Sequence, residues 1–373
     1  MHSEIWKSSR LLADGREIIY FDEAPDSGRA DLADERELPR VEPAGSEQGS
    51  VPDDRLRWDP LLGEWVAFAE VRQGRTFLPS AGDCPLCPSR PGKLTEVPAP
   101  DYDVVVFENK FPAFAGSFSG PVVGAGLYDR RPASGRCEVV CFTADHDASF
   151  ADLSARRTST VLAAWADRTT ELGQIAGIEH VYCFENRGPE VGVTLQHPHG
   201  QVYALPFVPP RIKQMLARAQ DYRANHGGNL FDDLLAAEVS DGLRVVVRND
   251  HWTAFVPAAA RWPFEVLVMP SHRVPDLGYL SHDAVAAFGD IYPAVLQRLD
   301  ALFDAPMPYM AVWHQAPVGS PDARRELAAF VQIMAMRRAP GKLKYRASTE
   351  SGADVWSSDV LPETAARMLR EAG

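Results

Sequence analysis

An internal duplication constrains the fold of this 373-residue chain more than any other feature. Each half contains an aromatic strand, a second strand that begins at Glu and ends just before a His, an amphipathic helix and a further strand. In chain order these segments are 109–114, 138–146, 149–172 and 179–186, then 249–257, 265–272, 281–303 and 308–314. We therefore expect an α+β fold of two tandem units, each an antiparallel sheet with helices packed on it.

Five segments follow from this pattern. We expect an N-terminal hairpin (1–21), an acidic flexible insert (22–54), an N-terminal catalytic unit (55–209), a helical bridge (210–242) and a C-terminal unit (243–373). Asp14-Gly15 is a favoured pair for a tight hairpin turn. The insert carries eleven acidic residues against three arginines and no aromatic residue. Such a composition buries too little apolar surface to offset chain entropy, so we predict a flexible insert.

Charge and composition exclude several classes of function. The net charge of −13 disfavours a broad nucleic-acid surface, so no nucleic-acid partner is expected. The sequence contains no apolar run of about 18 residues, so no membrane partner is expected either. Five cysteines, an odd number, and an N-terminus without the apolar core of a secretory signal argue against a disulfide framework. These features predict a cytoplasmic protein.

The strongest motif is His197-Pro-His199-Gly-Gln201, followed by strand residues. In a strand, residues two apart share a face, so His197, His199 and Gln201 are expected to point the same way. A lone buried His is more often structural, but three alternating polar side chains need partners. A neutral imidazole can attack phosphorus and form a covalent intermediate, and a Gln amide can stabilise phosphoryl charge. We predict His199 as the nucleophile and Gln201 as the stabilising donor.

A second motif, Cys84-Pro-Leu-Cys87, supplies half of a zinc site. A tetrahedral structural zinc needs two further ligands, and His146 and His197 are the best candidates among the histidines. We expect one structural Zn²⁺ per chain, with His197 holding the strand that presents His199. His199 itself must stay free.

Taken together, these motifs resemble the galactose-1-phosphate uridylyltransferase family, the transferase branch of the histidine-triad superfamily. The resemblance runs in order over about residues 55–350, through Trp58-Asp59-Pro60, Cys84-x-x-Cys87, Asp145-His146, Phe184-Glu185-Asn186, His197-Pro-His199-Gly-Gln201, Trp262-Pro-Phe-Glu265 and Trp313-His314-Gln-Ala-Pro317. It implies tandem histidine-triad-like units and a nucleotidyltransferase. The implied reaction converts UDP-glucose and galactose 1-phosphate to glucose 1-phosphate and UDP-galactose, by a ping-pong mechanism through uridylyl-His199.

The resemblance also implies further binding residues and a homodimer with shared active sites. Arg72 and Arg75 are the basic residues implied to reach the nucleotide from the partner subunit, and Asn109 the residue implied to contact ribose or uracil. Phe184 and Asn186 are implied to flank the nucleotide, and Gly192, Val193 and Thr194 to form the turn at the phosphates. Lys344 and Glu350 are implied to bind the sugar phosphate.

The sequence departs from the family at a second metal site. Some members hold iron there with a Glu of the bridging segment, a Trp-His and a His-x-His. Here Trp313-His314 is kept, but the other positions are expected to be Met215 and Met334-Ala335-Met336. Thioethers are poor partners for iron, so we expect no iron.

Two alternatives stay open. The first is a nucleotide phosphorylase or adenylyltransferase of the same superfamily, acting on ADP-glucose or a dinucleoside polyphosphate with the same covalent His. The second is a zinc-stapled binding module without turnover, which the presence of His199 disfavours. Hexose selectivity cannot be predicted, because glucose and galactose phosphates differ in one hydroxyl.

Overall fold

The structure, a computed structural model, describes residues 4–25, 27–37, 55–74, 77–116 and 126–373. The strands are β1 (Trp6–Leu11), β2 (Glu17–Asp22), β3 (Leu56–Asp59), β4 (Glu64–Ala67), β5 (Val104–Glu108), β6 (Arg130–Arg131), β7 (Arg136–Cys141), β8 (His180–Arg187), β9 (His199–Leu205), β10 (Val245–Arg248), β11 (Trp252–Phe255), β12 (Val266–Pro270), β13 (Tyr309–His314), β14 (Phe330–Ala335), β15 (Arg337–Ala339) and β16 (Lys342–Leu343). The helices are α1 (Ala155–Gly173), α2 (Pro210–His226), α3 (Leu230–Asp241), α4 (His282–Ala301), α5 (Pro321–Glu326), α6 (Ser348–Gly352) and α7 (Pro362–Glu371).

One eleven-stranded sheet spans both halves, in the order β1-β2-β5-β7-β9-β8-β13-β14-β12-β11-β10. All of its strand pairs are antiparallel. The run β5-β7-β9-β8 in the first half is repeated, in mirrored order, by β13-β14-β12-β11 in the second. The two runs meet edge to edge where β8 pairs with β13. The predicted duplication and α+β class are therefore confirmed.

The long helices α1 and α4 cover one face of this sheet. Each begins at a serine N-cap, Ser154 or Ser281, whose side chain accepts a backbone N–H of the first turn. Their apolar faces bury large aromatic side chains, among them Trp165, Trp252 and Trp313. Burial of each such ring contributes about 2–3 kcal/mol, so this layer fixes the junction of the two halves.

The opposite face carries the candidate site and is covered differently in each half. In the first half, the segment that contains Cys84 and Leu86 packs on β2, β5 and β7 through Val105 and Val139. In the second half, α2, α3 and α5 pack on β11, β12 and β14 through a separate apolar cluster. The part of this sheet face that lies between these two sets of packed segments includes the start of β9.

The acidic segment differs in part from the flexible insert expected over 22–54. Asp22 ends β2, and Arg29 contacts both Asp22 and Asp103, the latter at 2.9 Å. Arg36 donates to the Thr95 carbonyl at 2.8 Å. Residues 27–37 therefore pack on the first half, because their arginines are ion-paired, which net composition does not reveal. Residues 38–54 lie outside the described part of the chain.

The predicted hairpin is present as β1 and β2, and β2 joins the main sheet through β5. Within the described ranges, no helix has both the length and the apolar character of a membrane span.

Candidate active site

The His-Pro-His-Gly-Gln motif lies where β9 begins, between β7 and β8. His199 is paired with Cys141 of β7, and Gln201 with Phe184 of β8. Gly200 points toward the helical face, where a Cβ would lie 2.8 Å from the Phe184 carbonyl oxygen and 2.9 Å from the Phe142 ring. The glycine is therefore required for the close packing of the strand that carries His199.

The imidazole of His199 is held in one tautomer. Its Nδ1 lies 2.7 Å from the carbonyl oxygen of His197, so Nδ1 carries the proton and donates it. Burial lowers the pKa of His199, against the opposing effect of this hydrogen bond. The ring is accordingly neutral at neutral pH, and its Nε2 keeps a lone pair for attack.

Gln201 is linked to Arg72 through Tyr203, a residue that sequence reasoning did not identify. The Tyr203 hydroxyl donates to Oε1 of Gln201 at 3.2 Å, and Nη2 of Arg72 donates to that hydroxyl at 2.7 Å. Tyr203 continues the same alternation as His199 and Gln201, a signal that could have found it.

The expected approach of Arg72 to the nucleotide of a partner subunit stays a prediction. Within its own chain, Arg72 lies beside Tyr203. The short helical turn Glu70–Gly74 brings it there. Arg75 lies outside the described residues.

The four predicted metal ligands come together. The ligand atoms of Cys84, Cys87, His146 and His197 all lie within 4.8 Å of one another, and no other such group occurs in the described residues. Sγ of Cys87 is 3.4 Å from Nδ1 of His146 and 3.6 Å from Nδ1 of His197. Burial and the neighbouring Cys84 raise the pKa of Cys87 to about 12. Without a cation, the thiol therefore stays protonated.

Two residues outside the predicted set orient His197. Its Nε2 lies 2.8 Å from the Thr143 carbonyl oxygen and 2.7 Å from the Tyr102 hydroxyl. That hydroxyl donates its own proton to the Leu86 carbonyl, so both neighbours of Nε2 accept. The proton of His197 is therefore on Nε2, and Nδ1 is left to face Cys87 as a metal-binding nitrogen.

The cluster of predicted metal ligands and the predicted nucleophile are joined through one residue. The side chain of His197 belongs to the cluster, while its backbone carbonyl accepts a hydrogen bond from Nδ1 of His199. Any group that fixes His197 consequently fixes the orientation of the His199 ring.

The predicted nucleotide-binding residues of the first half lie on β8, directly after β5 and in the turn that precedes the motif. Phe184 packs edge-on against Tyr203, with ring centroids 5.1 Å apart, and Asn186 follows on the same face of β8. Asn109 directly follows β5, and its Oδ1 accepts the Phe111 amide at 2.8 Å. The turn Gly192, Val193 and Thr194 is partly exposed just before the motif, and Gly192 has a φ of 80°.

Lys344 and Glu350 are paired with each other in the C-terminal unit. Nζ of Lys344 lies 3.0 Å from a Glu350 oxygen and also contacts the Ser357 carbonyl, and both side chains are buried. Lys344 and nearby hydrogen-bond donors lower the pKa of Glu350 to about 2. The structure thus joins this predicted pair but shows no contact between it and His199 within the described residues.

The second half corrects the expected positions of the lost metal site. His314 is opposite Phe330 in the β13–β14 register, and its Nε2 donates to Gln332 at 2.8 Å. Met334 is opposite Met310, four residues along the strand, or about 13 Å away. Met334 and Met336 therefore do not face His314, and Phe330 and Gln332 occupy those places.

The chain is similar over most of its length to known proteins of one family. Residues 51–209 match the profile described as galactose-1-phosphate uridyl transferase, N-terminal domain, and residues 216–371 match the C-terminal domain. A galactose-1-phosphate uridylyltransferase of Streptomyces lividans is 44% identical over 98% of this chain and 97% of its own. One from Thermotoga maritima is 35% identical over 85% of this chain and 98% of its own. A solved structure named as a uridylyltransferase superposes with a TM-score of 0.75 at 31% identity, covering 85% of this chain and 97% of its own. The chain belongs to the galactose-1-phosphate uridylyltransferase family.

Proposed function

We propose that the protein transfers a uridylyl group between UDP-glucose and hexose 1-phosphates through a covalent intermediate on His199. The observation that carries this proposal is the 2.7 Å contact between Nδ1 of His199 and the His197 carbonyl. It leaves Nε2 as a neutral nucleophile on the face that also carries Gln201. The names of the relatives supply the substrate class.

In the first step, the Nε2 lone pair of His199 forms a bond to the α-phosphorus of UDP-glucose. The bond from that phosphorus to the bridging oxygen breaks, and glucose 1-phosphate leaves with the electron pair. Negative charge on the non-bridging oxygens is stabilised by the Gln201 amide. The product is a uridylyl phosphoramidate.

In the second step, a phosphate oxygen of galactose 1-phosphate attacks the same phosphorus and the N–P bond breaks. The attacking phosphate is already an anion at neutral pH, so it needs no general base. The imidazole returns to its neutral form because the proton stays on Nδ1, hydrogen-bonded to the His197 carbonyl, throughout.

Cys84, Cys87, His146 and His197 would hold one Zn²⁺. Two sulfurs and two imidazole nitrogens form a closed tetrahedral set, which suits a structural ion without a position for water. The protonation of His197 on Nε2, through Thr143 and Tyr102, fits the set because it leaves Nδ1 free. The ion would fix the segment that orients His199.

We also propose a cytoplasmic homodimer with shared active sites. All five cysteines are unpaired thiols, as a reducing compartment maintains them.

Exposed apolar side chains lie at the small sheet β4-β3-β6 and beside it, among them Leu61, Leu62, Leu127 and Tyr128. Such patches are typical of protein interfaces. Sedimentation velocity should give twice the chain mass for the wild type and a shift toward the monomer for Leu62→Asp.

Sharing of the sites is tested by subunit exchange. Arg75→Ala and His199→Ala proteins, each inactive alone, should regain activity when mixed. If exchange is demonstrated by mass and no activity returns, the sites are not shared.

Intact-mass analysis after mixing with UDP-glucose alone tests the central proposal. We expect the mass to rise by one uridylyl group and glucose 1-phosphate to be released, without a second substrate. Addition of galactose 1-phosphate should remove the adduct. An unmodified protein that still converts both substrates together would rule out the covalent path.

A parallel sample with ADP-glucose tests the alternative function. An adenylyl adduct, with none from UDP-glucose, would assign the protein to nucleotide phosphorylases or adenylyltransferases of the same fold. The uridylyltransferase names of the relatives lead us to expect the uridylyl adduct.

A further inference from the structure

Tyr203 lies one alternation beyond Gln201 on β9 and contacts its side chain. The phenol hydroxyl is 3.2 Å from Oε1 of Gln201 and 2.7 Å from Nη2 of Arg72. The guanidinium, the phenol and the carboxamide therefore form a hydrogen-bonded chain that ends at the site. All three side chains are partly buried.

The direction of the protons in this chain follows from donor chemistry. A guanidinium can only donate, so the Tyr203 oxygen accepts from Arg72. Its single hydroxyl proton is then left for Gln201, which must present its carbonyl oxygen to Tyr203. The amide NH₂ of Gln201 consequently points away from Tyr203. If the carboxamide of Gln201 were rotated by 180°, its carbonyl oxygen would face the phosphoryl oxygen. Both atoms are acceptors, so no hydrogen bond could form between them.

Packing fixes the phenol in this place. The ring of Tyr203 lies edge-on to Phe184 at 5.1 Å and to Phe114 at 6.2 Å, between ring centroids. Aromatic contacts of this geometry restrict the ring and hence the position of its hydroxyl.

We propose that Tyr203, oriented by Arg72, is a positioning residue that turns the NH₂ of Gln201 toward the α-phosphoryl group. The inference rests on the proposed role of Gln201 in uridylyl transfer. It gives Arg72 a function within its own chain, namely to direct the Tyr203 proton. Loss of the phenol oxygen frees the carboxamide to rotate, so fewer molecules present a donor when the phosphoryl group arrives.

Single-turnover uridylylation of Tyr203→Phe tests this role. Rapid mixing with UDP-glucose, followed by intact-mass analysis, should show adduct formation slowed about tenfold, the scale for one hydrogen bond. The UDP-glucose concentration at half-maximal rate should change little, because the phenol is proposed to act on Gln201 and not on the substrate. The matched control is Tyr182→Phe, since Tyr182 is opposite Tyr203 in the β8–β9 register and loses the same atom. It should react at the wild-type rate.

A double-mutant cycle separates positioning from a general structural effect. In a Gln201→Ala background, Tyr203→Phe should slow the reaction no further, because there is no amide left to orient. Equal slowing in both backgrounds, or wild-type rates in Tyr203→Phe, would overturn the inference while the wild-type adduct upholds the proposed function. Absence of an adduct in the wild type would overturn both.

Discussion

Two glutamines lie in the same cross-strand row of the sheet, one in each half. The row runs from Gln201 on β9 through Phe184 and Val312 to Gln332 on β14. Gln201 is half-buried, and only its Oε1 is hydrogen-bonded to a described residue, Tyr203. Gln332 is buried and bonded at both ends, to His314 at 2.8 Å and to Glu265 at 2.5 Å.

This difference separates a site from a core. A carboxamide with one free donor can meet a substrate, whereas one with both groups satisfied contributes only to stability. The same contrast holds for the histidines. His199 keeps Nε2 free and presents it on the open face, but His314 uses Nε2 to donate to Gln332. Gln201 and Gln332 thus lie on corresponding strands, β9 and β14, and differ in their local hydrogen bonds, whereas His199 on β9 and His314 on β13 lie on strands that do not correspond.

The histidines give the largest expected effect. His199→Ala should lose the uridylyl adduct and slow exchange by about 10⁴-fold or more, the scale for losing a covalent nucleophile. The comparison variant His314→Gln should still form the adduct at the wild-type rate. Measurement of labelled glucose 1-phosphate exchange checks both. Near-normal exchange in His199→Ala would show that another group is the nucleophile.

The metal cluster occurs in the first half alone among the described residues. Cys84→Ser should lose zinc and unfold at a lower temperature, because an ion at 1,000 times its dissociation constant stabilises the folded state by about 4 kcal/mol. Cys137→Ser, a buried thiol outside the cluster, should keep one zinc per chain. Elemental analysis and thermal unfolding measure these outcomes. Full zinc retention in a His146→Ala, His197→Ala double variant, or stoichiometric iron in the wild type, would contradict the ligand assignment.

Substitution of the two glutamines should separate an effect on the turnover rate from an effect on the stability of the fold. Gln201→Ala should fold normally and turn over about 10²-fold more slowly, the scale for losing one donor to a developing charge. Gln332→Ala should keep the rate but destabilise the fold by about 1–3 kcal/mol, because His314 and Glu265 lose a buried partner. Steady-state kinetics and urea unfolding of both proteins measure the split. A comparable rate loss in Gln332→Ala would mean that this residue of the second half also contributes to turnover.

The smallest effect concerns pH and the junction of the halves. Burial lowers the pKa of His180 to about 3 and that of His314 to about 4. In the unfolded chain both histidines bind a proton near pH 6.5, whereas in the folded protein they stay neutral to a lower pH. Their contribution to the free energy of unfolding is therefore complete above pH 6.5 and is lost as the pH drops toward 4.

His180 isolates this contribution, since neither of its ring nitrogens has a hydrogen-bond partner. His180→Leu should lose less stability between pH 7 and pH 5 than the wild type, by roughly 2 kcal/mol. Urea unfolding at the two pH values tests it, with zinc content measured in parallel. An unchanged pH dependence would mean that His180 titrates normally in the folded protein.

The sequence alone determined the features that depend on local spacing. Alternation placed His199 and Gln201 on one face, and the two-residue spacing of Cys84 and Cys87 indicated a metal pair. The order of strand, strand, helix and strand predicted the duplication. Each of these signals lies within a short stretch of chain, where the strand period of two and the helix period of 3.6 determine direction.

Strand register could not be read in the same way. Phe330, Gln332, Met334 and Met336 occur at every second position of one stretch of chain. The alternation of side chains therefore allows any of them to lie opposite His314. Only the pairing of β13 with β14 selects Phe330 and Gln332. A register shift by an even number of residues, here four, keeps every side chain on its face, and this is why the expectation for Met334 and Met336 was wrong.

Contacts between distant segments were decided by tertiary structure alone. Arg72 and Tyr203 are 131 residues apart, and Tyr102 and His197 are 95 apart. Residue types and local spacing predict which groups can donate or accept, but not which of them a folded chain brings within 3 Å. Candidates for the nucleophile and for the metal ligands could thus be named from sequence, whereas the residues that contact them depend on how distant segments pack together on the sheet.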